Sequence, residues 1–111
     1  MIEKIYFRHF ISVAQKTTAS SAQYGEGYNY WVETGVKTPL RGDESLVQRK
    51  IKETVLRLDH KALGTDVDLG FDPTSVRLCE WLFDEIKLAC ESEEVIEVRL
   101  LRGDGYQVRK T

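Results

Sequence analysis

Residues 28–37, YNYWVETGVK, concentrate aromatic and β-branched side chains in one short segment. Side chains of these kinds pack well on a pleated surface, so the segment predicts a β-strand. Pro39 and Gly42 follow closely, and both residue types are typical of a chain that has left a strand. We therefore expect a sheet that contains this strand, and the flanking segments predict what pairs with it and what covers it.

The preceding segment predicts another strand. From residue 4 to residue 13, every second position belongs to one largely apolar series: Ile5, Phe7, His9, Ile11 and Val13. This period of two predicts a strand, and the polar segment 15–27, rich in Ser, Thr, Ala and Gly, predicts a loop before the next one. A lone histidine in such a series, here His9, is more often a satisfied core or interface residue than a ligand, so we expect a structural role for it.

Two helices are predicted by apolar spacing after Gly42. The first follows Asp43, a plausible N-cap, and repeats apolar side chains at intervals of three and four: Val47, Ile51, Val55 and Leu58. The second follows residues 72–74, DPT, which supply a capping side chain and a proline that a first turn tolerates. Its expected buried stripe is Leu78, Leu82, Ile86 and Ala89.

The last segment returns to a period of two. Ile96, Val98 and Leu100 are predicted to face one way, with Glu97 and Arg99 facing the other, and residues 103–105, GDG, predict a turn into a last strand over 106–110. The order ββααββ predicts an α+β fold with a four-stranded antiparallel sheet and two helices on one face. The other face is left uncovered, which favours self-association.

Composition limits the functional classes. A chain of 111 residues fits one domain spanning residues 1–111. The net charge of −2 supplies no positive field for a nucleic acid, and no apolar run approaches the roughly 20 residues that span a bilayer. We therefore expect a cytoplasmic protein with neither a nucleic-acid nor a membrane partner. Cys79 and Cys90 lie too far apart on one predicted helix to form a disulfide, so we expect small apolar residues in a reducing compartment.

Four segments resemble one protein family. Residues 29–36, NYWVETGV, are similar to the second strand of the 6-pyruvoyltetrahydropterin and 6-carboxytetrahydropterin synthases, which begins with His-Gly-His-Asn-Tyr. Residues 58–63, LDHKAL, resemble the Leu-Asp-His-Lys-x-Leu segment that follows the family's first helix. Residues 73–83 resemble its Pro-Thr-x-x-x-Leu-x-x-Trp-Ile helix, and residues 97–100, EVRL, its third strand. The segments keep the family's order and nearly its spacings over almost the whole chain.

The resemblance implies the tunnelling fold, in which domains join edge to edge into rings and two rings stack into a β-barrel. It implies a homo-oligomer, with a hexamer as the expected assembly, and active sites between subunits that hold a pterin- or purine-like heterocycle. In this family, which includes lyases and a queuosine-pathway enzyme, an acidic side chain holds the pterin. Zinc and a proton-transfer group act on the pterin's side chain.

The chain departs from the family at the residues that carry this chemistry. The three zinc histidines correspond to Gln15, Glu26 and Tyr28, a poor ligand set, so we expect neither a metal nor a cofactor. The nucleophilic cysteine corresponds to about Ala22, which cannot form a thiolate. The pterin-anchoring acid corresponds to Arg102, a group that cannot accept hydrogen bonds.

Four candidate residues remain for a reduced active site. Asp59 and His60 match the family's proton relay, in which the carboxylate orients the imidazole; the alternative is that the pair stabilises the end of a helix. Glu26 is a candidate substitute acid or base. Asp104 is a candidate for the pterin anchor, although residues 103–105 could simply form a hairpin turn.

The residues therefore predict a family homologue with a degraded active site, in which Gln15, Tyr28 and Asp104 contribute to binding a heterocycle at a subunit interface. A first alternative is a metal-independent lyase or aldolase-type enzyme that uses Asp59 and His60. A second alternative is a structural ring protein without a ligand.

Overall fold

The computed structural model describes residues 1–20, 25–65 and 67–111, and within these ranges the chain forms an α+β fold. In chain order the elements are β1 (Lys4–Gln15), β2 (Glu26–Lys37), α1 (Glu44–Val55), β3 (Lys61–Leu63), α2 (Ser75–Ala89), β4 (Val95–Arg102) and β5 (Gln107–Lys110). Both predicted helices and all four predicted strands are present. The predicted loop over 15–27 is too long, because Gln15 and Glu26 already pair in the ladder between β1 and β2.

The prediction of a four-stranded, wholly antiparallel sheet is wrong. The sheet has five strands in the order β3-β1-β2-β4-β5, and β3 runs parallel to β1 from the Val13–Lys61 pair to the Gln15–Leu63 pair. The other neighbouring strands pair antiparallel. A strand of three residues is too short to show an alternating pattern, which is why the sequence did not reveal β3.

The sheet has an inner face, which the helices cover, and an outer face, which no other described element covers. Because side chains alternate along a strand, the odd-numbered residues of β1 and the even-numbered residues of β2 share the inner face. Ile11 and Val32 on this face belong to one buried cluster with Ile51 of α1 and Leu82 of α2. Both helices therefore pack on the same face, as the α+β order predicts.

The helix ends follow local capping chemistry. The Asp43 carboxylate accepts hydrogen bonds from the backbone N–H groups of Ser45 and Leu46, and the Thr74 hydroxyl accepts one from Arg77. The predicted stripe of α2 is buried at Leu78, Leu82 and Ile86, with Ala89 partly buried. Leu58 is also buried, although it lies beyond the end of α1. None of the helices in the described residues is long and apolar enough to cross a membrane.

A β-bulge changes the predicted faces of β4. The register between β2 and β4 shifts at Gly35 and Val36, so that Val95 pairs with Val36 and joins the core, whereas Ile96 stays outside it. Glu97 pairs with Gly35 on the outer face and is only 4% exposed. A side chain at residue 35 would contact the methylene groups of Glu97 and the ring of Tyr6, so glycine leaves the space that the glutamate fills.

The core contains two buried cysteines and a buried histidine, which differ in how well their polar groups suit an apolar environment. Cys79 and Cys90 are free and buried, and burial raises the pKa of Cys79 to about 11, so these thiols act as apolar core groups. His9 is buried at 9% exposure, but neither ring nitrogen has a hydrogen-bond partner among the described residues. The expectation of a satisfied histidine is therefore wrong in that respect. Burial, together with the positive charge of Lys52, lowers the pKa of His9.

Candidate functional site

Three of the predicted site residues lie together at the end of the sheet where β1 ends and β2 begins. Gln15 pairs with Glu26, and Tyr28 pairs with Val13, so Gln15, Glu26 and Tyr28 all project from the inner face. Cross-strand and diagonal neighbours on one face are close enough to interact. The structure thus brings these three positions into one patch, which we call the inner patch.

Gln15 is fully engaged in holding the fold together. Its side chain is buried, its Nε2 donates to the backbone carbonyl of Pro73 at 2.8 Å, and its Oε1 accepts from the Tyr30 hydroxyl at 2.7 Å. The Tyr30 hydroxyl lies 2.6 Å from Ser75 Oγ, at the beginning of α2. Gln15 therefore ties β1 and β2 to the start of α2 through both ends of its amide.

The other two members of the inner patch are also engaged. Glu26 is exposed, and its Oε2 accepts a hydrogen bond from Ser20 Oγ at 2.7 Å. The Tyr28 ring lies 4.5 Å from the guanidinium carbon of Arg102, which is within cation–π range. Tyr28 thus serves as a stacking surface for a cation.

The inner patch does not fit a zinc ion. A zinc site needs three or four soft or anionic donors with free lone pairs. Gln15 is committed at both ends, and Tyr28 faces the Arg102 cation, which leaves Glu26 as the one anionic donor of the three. Within residues 1–20, 25–65 and 67–111, no group of three or more His, Cys, Asp or Glu side chains is arranged to hold a metal ion.

Arg102 and Asp104 form a self-contained turn beside this patch. Arg102 lies between the rings of Tyr28 and Tyr106, at 4.5 and 4.3 Å, and its Nε and Nη2 donate to the two carboxylate oxygens of Asp104 at 3.2 and 3.0 Å. The backbone N–H of Tyr106 also donates to Asp104. These donors lower the pKa of Asp104 and engage both of its oxygens. Because Oδ1 already accepts two hydrogen bonds, a pair of ligand N–H groups could engage both oxygens only by displacing one of these donors.

Asp59 and His60 lie in the turn between α1 and β3, docked on the edge of β1. Asp59 Oδ1 accepts the backbone N–H of Ser12 at 2.8 Å, and the backbone N–H of His60 donates to the Ser12 carbonyl at 2.7 Å. Asp59 Oδ2 lies 3.4 Å from His60 Nε2. The carboxylate therefore anchors the turn to β1 through Oδ1, and its Oδ2 lies within ion-pair distance of the imidazole.

His60 holds an unusual backbone conformation. Its φ of 59° is in the left-handed region, which residues other than glycine adopt at a cost of about 1–2 kcal/mol. Its side chain is 82% exposed, so burial of the imidazole does not offset that cost. A strained, exposed histidine oriented by a carboxylate is a reasonable starting point for a functional hypothesis.

A surface cavity of about 440 Å³ opens beside His60. Its floor is a row of small residues across three strands, Ala62, Ala14 and Gly27, which the register places side by side on the outer face. Ser12, Asn29 and His60 also border it. The volume lies within the range of roughly 300–1,000 Å³ that is typical of small-molecule sites. We call this the His60 cavity.

The predicted site residues therefore divide between the two faces of the sheet. Gln15, Glu26 and Tyr28 project from the inner face, whereas Asp59 and His60 lie beside the cavity on the outer face. Tyr28 also lines the cavity, so it borders both regions. Ala22 lies outside the described residues, so the position of the family's nucleophile is not described.

Sequence reasoning missed Ser12 and the individual role of Asn29. Ser12 Oγ donates to Asn29 Oδ1 at 2.7 Å, and the two residues pair across β1 and β2. Both are polar and lie opposite the core series of their strands. The alternation that predicted the strands could therefore have identified them as outward-facing neighbours, once the register was known.

Beyond this pair, the outer face continues with aromatic and charged side chains. The rings of Phe10 and Trp31 meet edge to face with centroids 5.0 Å apart, and both are partly exposed. Glu33 lies between Arg8 and Arg99 and forms ion pairs with both. The exposed aromatic pair therefore lies beside a largely neutralised row of charges.

Comparisons with known proteins support the fold. No protein-family model and no curated protein matches the sequence. Among solved structures, the chain is similar to the 6-pyruvoyl tetrahydropterin synthase of Caenorhabditis elegans, with a TM-score of 0.76, 13% sequence identity and coverage of 100% of each chain. At this identity the likeness shows the fold alone. It confirms an α+β chain with a five-stranded mixed sheet and two helices that is consistent with the tunnelling fold.

Proposed function

We propose that this protein is a ring-forming tunnelling-fold protein that binds a pterin- or purine-like heterocycle in the His60 cavity and does not perform the zinc-dependent synthase reaction. The observation that carries the proposal is the cavity itself. Its flat floor of Ala62, Ala14 and Gly27 leaves room for a planar ring, and Asn29 and His60 place polar groups at its border. A Cβ atom on Gly27 would meet no other atom within 4 Å, so the floor is open above it.

The directions of the strands support ring formation. Strands β1, β2, β4 and β5 alternate in direction, so the free edge of β5 in one copy would run antiparallel to the free edge of β1 in the next. Among the described residues, β3 covers β1 only at residues 13–15. The remaining edge is a ready template for another strand. Repetition of this contact would give the proposed homo-oligomer, for which we propose a hexamer of two rings.

The same geometry supports a site between subunits. Strands β1 and β4 run in the same direction, so the hairpin that follows Arg102 lies at the same end of the sheet as His60. In a ring, that hairpin of one copy approaches the His60 cavity of the next. Asp104 and Tyr106 on the hairpin are then the side chains best placed to cover a bound heterocycle.

Calorimetry and thermal unfolding with a panel of pteridines and purines test the proposal. A bound ligand stabilises the folded state by mass action, so the midpoint of unfolding should rise with ligand concentration. His60→Asn is the matched variant, because asparagine tolerates the left-handed conformation but lacks the imidazole. We expect weaker binding in this variant at nearly unchanged stability. If no compound of the panel binds, the heterocycle proposal fails and a structural ring without a ligand is favoured.

The contact between Asp59 and His60 favours a second candidate function. A carboxylate 3.4 Å from an imidazole can orient it for proton transfer, as a metal-independent lyase or aldolase-type step would require. Glu26 lies on the opposite face from His60, so the pair would act without it within one subunit. Dihydropterins incubated with the parent protein and with His60→Asn test this candidate. Turnover by the parent alone supports it, and no turnover by either protein eliminates it.

A further inference from the structure

Ser12 fixes the orientation of the Asn29 amide at the border of the His60 cavity. The Ser12 hydroxyl donates to Asn29 Oδ1 at 2.7 Å. An asparagine amide carries one acceptor oxygen and two N–H donors on its nitrogen. The oxygen already accepts one hydrogen bond, whereas Nδ2 has no hydrogen-bond acceptor among the described protein groups. Asn29 therefore offers donors to a ligand.

Carboxylates are absent from the described residues that line the cavity. The nearest one, Asp59, uses Oδ1 to accept the Ser12 N–H and points Oδ2 at the His60 ring. Glu26 projects from the opposite face and accepts from Ser20. The amino group and adjacent ring N–H of a 2-amino-4-oxo heterocycle are two neighbouring donors, and no carboxylate among the described lining residues can accept both. Asp104 of a neighbouring copy is no substitute, because its Oδ1 already accepts from Arg102 and from the Tyr106 N–H and its Oδ2 from Arg102.

The remaining polar side chains either donate hydrogen bonds only or can both donate and accept them. Lys61 borders the cavity, and its ammonium group can only donate. His60 turns Nε2 towards Asp59, which leaves Nδ1 to accept from a ligand when the ring is neutral or to donate when it is protonated. The lining side chains therefore comprise Asn29 and Lys61 as donors, together with the His60 ring and the Ser12 and Tyr28 hydroxyls, each of which has a single polar atom to offer rather than the paired acceptor oxygens of a carboxylate.

From this distribution we infer that the His60 cavity selects heterocycles whose bound edge carries oxo groups over those whose bound edge carries an amino group. The ligand class is a dioxopteridine or a xanthine-type purine, in preference to a 2-amino-4-oxopteridine or a guanine-type purine. An oxo group accepts from Asn29 Nδ2, whereas an amino group faces another donor and leaves its own hydrogens unpaired. This inference rests on the proposed heterocycle binding and narrows it to one substrate class.

Matched pairs of compounds test the selectivity. Calorimetry with 2,4-dioxopteridine against 2-amino-4-oxopteridine, and with xanthine against guanine, compares ligands that differ at one substituent. We expect the oxo member of each pair to bind about tenfold more tightly, the value of roughly one hydrogen bond. Equal or tighter binding of the amino members overturns the selectivity and leaves heterocycle binding intact. Binding of neither member of either pair overturns heterocycle binding, and the selectivity with it.

Asn29→Asp supplies the decisive variant. The new carboxylate can still accept from the Ser12 hydroxyl, so it keeps its place while its second oxygen replaces the Nδ2 donors. We expect the preference to reverse, with the oxo compounds losing about tenfold and the amino compounds gaining affinity. Asn29→Ala, which removes the donors without adding an acceptor, should weaken only the oxo compounds. If the ratio of oxo to amino affinities is unchanged in Asn29→Asp, the inference is overturned, because Asn29 then does not contact the substituent that distinguishes the two compounds.

Discussion

The two faces of the sheet at the end of β1 differ in how far their polar groups are already used. On the inner face, Gln15 is bound at both ends of its amide and Tyr28 is stacked on Arg102. On the outer face, Asn29 Nδ2 and the exposed ring of His60 remain available around a cavity. Of the three positions that the family resemblance marks as metal ligands, Gln15 holds the fold together in this chain, and Tyr28 stacks on Arg102. Among the described residues, Asn29 Nδ2 and the exposed His60 ring lie on the opposite face, beside the cavity. A residue's correspondence to a family position is therefore a poor guide to what its side chain does in this chain.

The largest expected effect is a loss of stability, without a loss of heterocycle affinity, on substitution of Gln15 in the inner patch. Gln15→Leu keeps the volume but leaves the buried carbonyl of Pro73 without its donor, so we expect a loss of about 1–3 kcal/mol in the free energy of unfolding. Chemical denaturation measures this loss. Heterocycle affinity should stay within twofold of the parent, since Gln15 does not line the His60 cavity.

Glu26→Gln is the matched control for that variant. Glu26 is exposed and pairs with Gln15 across the sheet, so its neutral analogue should change the free energy of unfolding by less than about 0.5 kcal/mol. A stability loss as large as that of Gln15→Leu would show that the buried hydrogen bonds of the Gln15 amide are not the cause of the effect.

An effect of intermediate size concerns the unpaired histidine on the inner face. Burial lowers the pKa of His9 in the folded state, so below the ordinary histidine pKa of about 6.5 the unfolded chain binds more protons. Its contribution to stability is therefore fully present above that pH and is lost as pH falls through it. The slope is at most about 1.4 kcal/mol per pH unit, one proton's worth.

His9→Leu should remove this component of the pH dependence. Unfolding free energies measured between pH 7.5 and 5 for the parent and the variant give the comparison, with His60→Asn as a control that removes the other histidine. Identical pH profiles for His9→Leu and the parent would contradict the assignment.

The smallest expected effect is a difference in stability between two substitutions of His60 beside the outer face. His60→Gly relieves the left-handed backbone, whereas His60→Ala keeps the strain, so we expect the glycine variant to be more stable than the alanine variant by about 1 kcal/mol. Both variants should lose heterocycle affinity, because both lack the imidazole. Thermal unfolding and calorimetry on the two proteins test whether their stabilities differ while their losses of affinity are the same.

Local patterns predicted the long elements of the fold. The alternation around Ile11 identified β1 and its apolar side, the aromatic and β-branched content of residues 28–37 identified β2, and the spacing of Val47 and Ile51 identified α1. The short strand β3 could not be predicted, because its pairing with Val13–Gln15 depends on the path of the chain after α1. The bulge opposite Gly35 similarly depends on which residue of β4 reaches it.

The sequence identified which residues belong to the candidate site, but it could not predict their hydrogen-bond partners or the face of the sheet on which each lies. Asp59 and His60 were recognised from a contiguous segment, yet their attachment to Ser12 joins residues 47 positions apart. The partner of Gln15, the Pro73 carbonyl, is separated from it by 58 positions. Contacts over such distances follow from the tertiary path, and they decide whether a polar side chain is free or engaged.

The docking of Asp59 and His60 on Ser12 also sets a boundary on the edge of β1. The two residues occupy both backbone hydrogen-bonding groups of Ser12, so a strand added to this edge can pair only with residues before it. The end of such a strand would abut the cavity that His60 borders. In the proposed ring, the strand added to β1 and the bound heterocycle would therefore meet at Ser12, and each should alter the apparent affinity of the other.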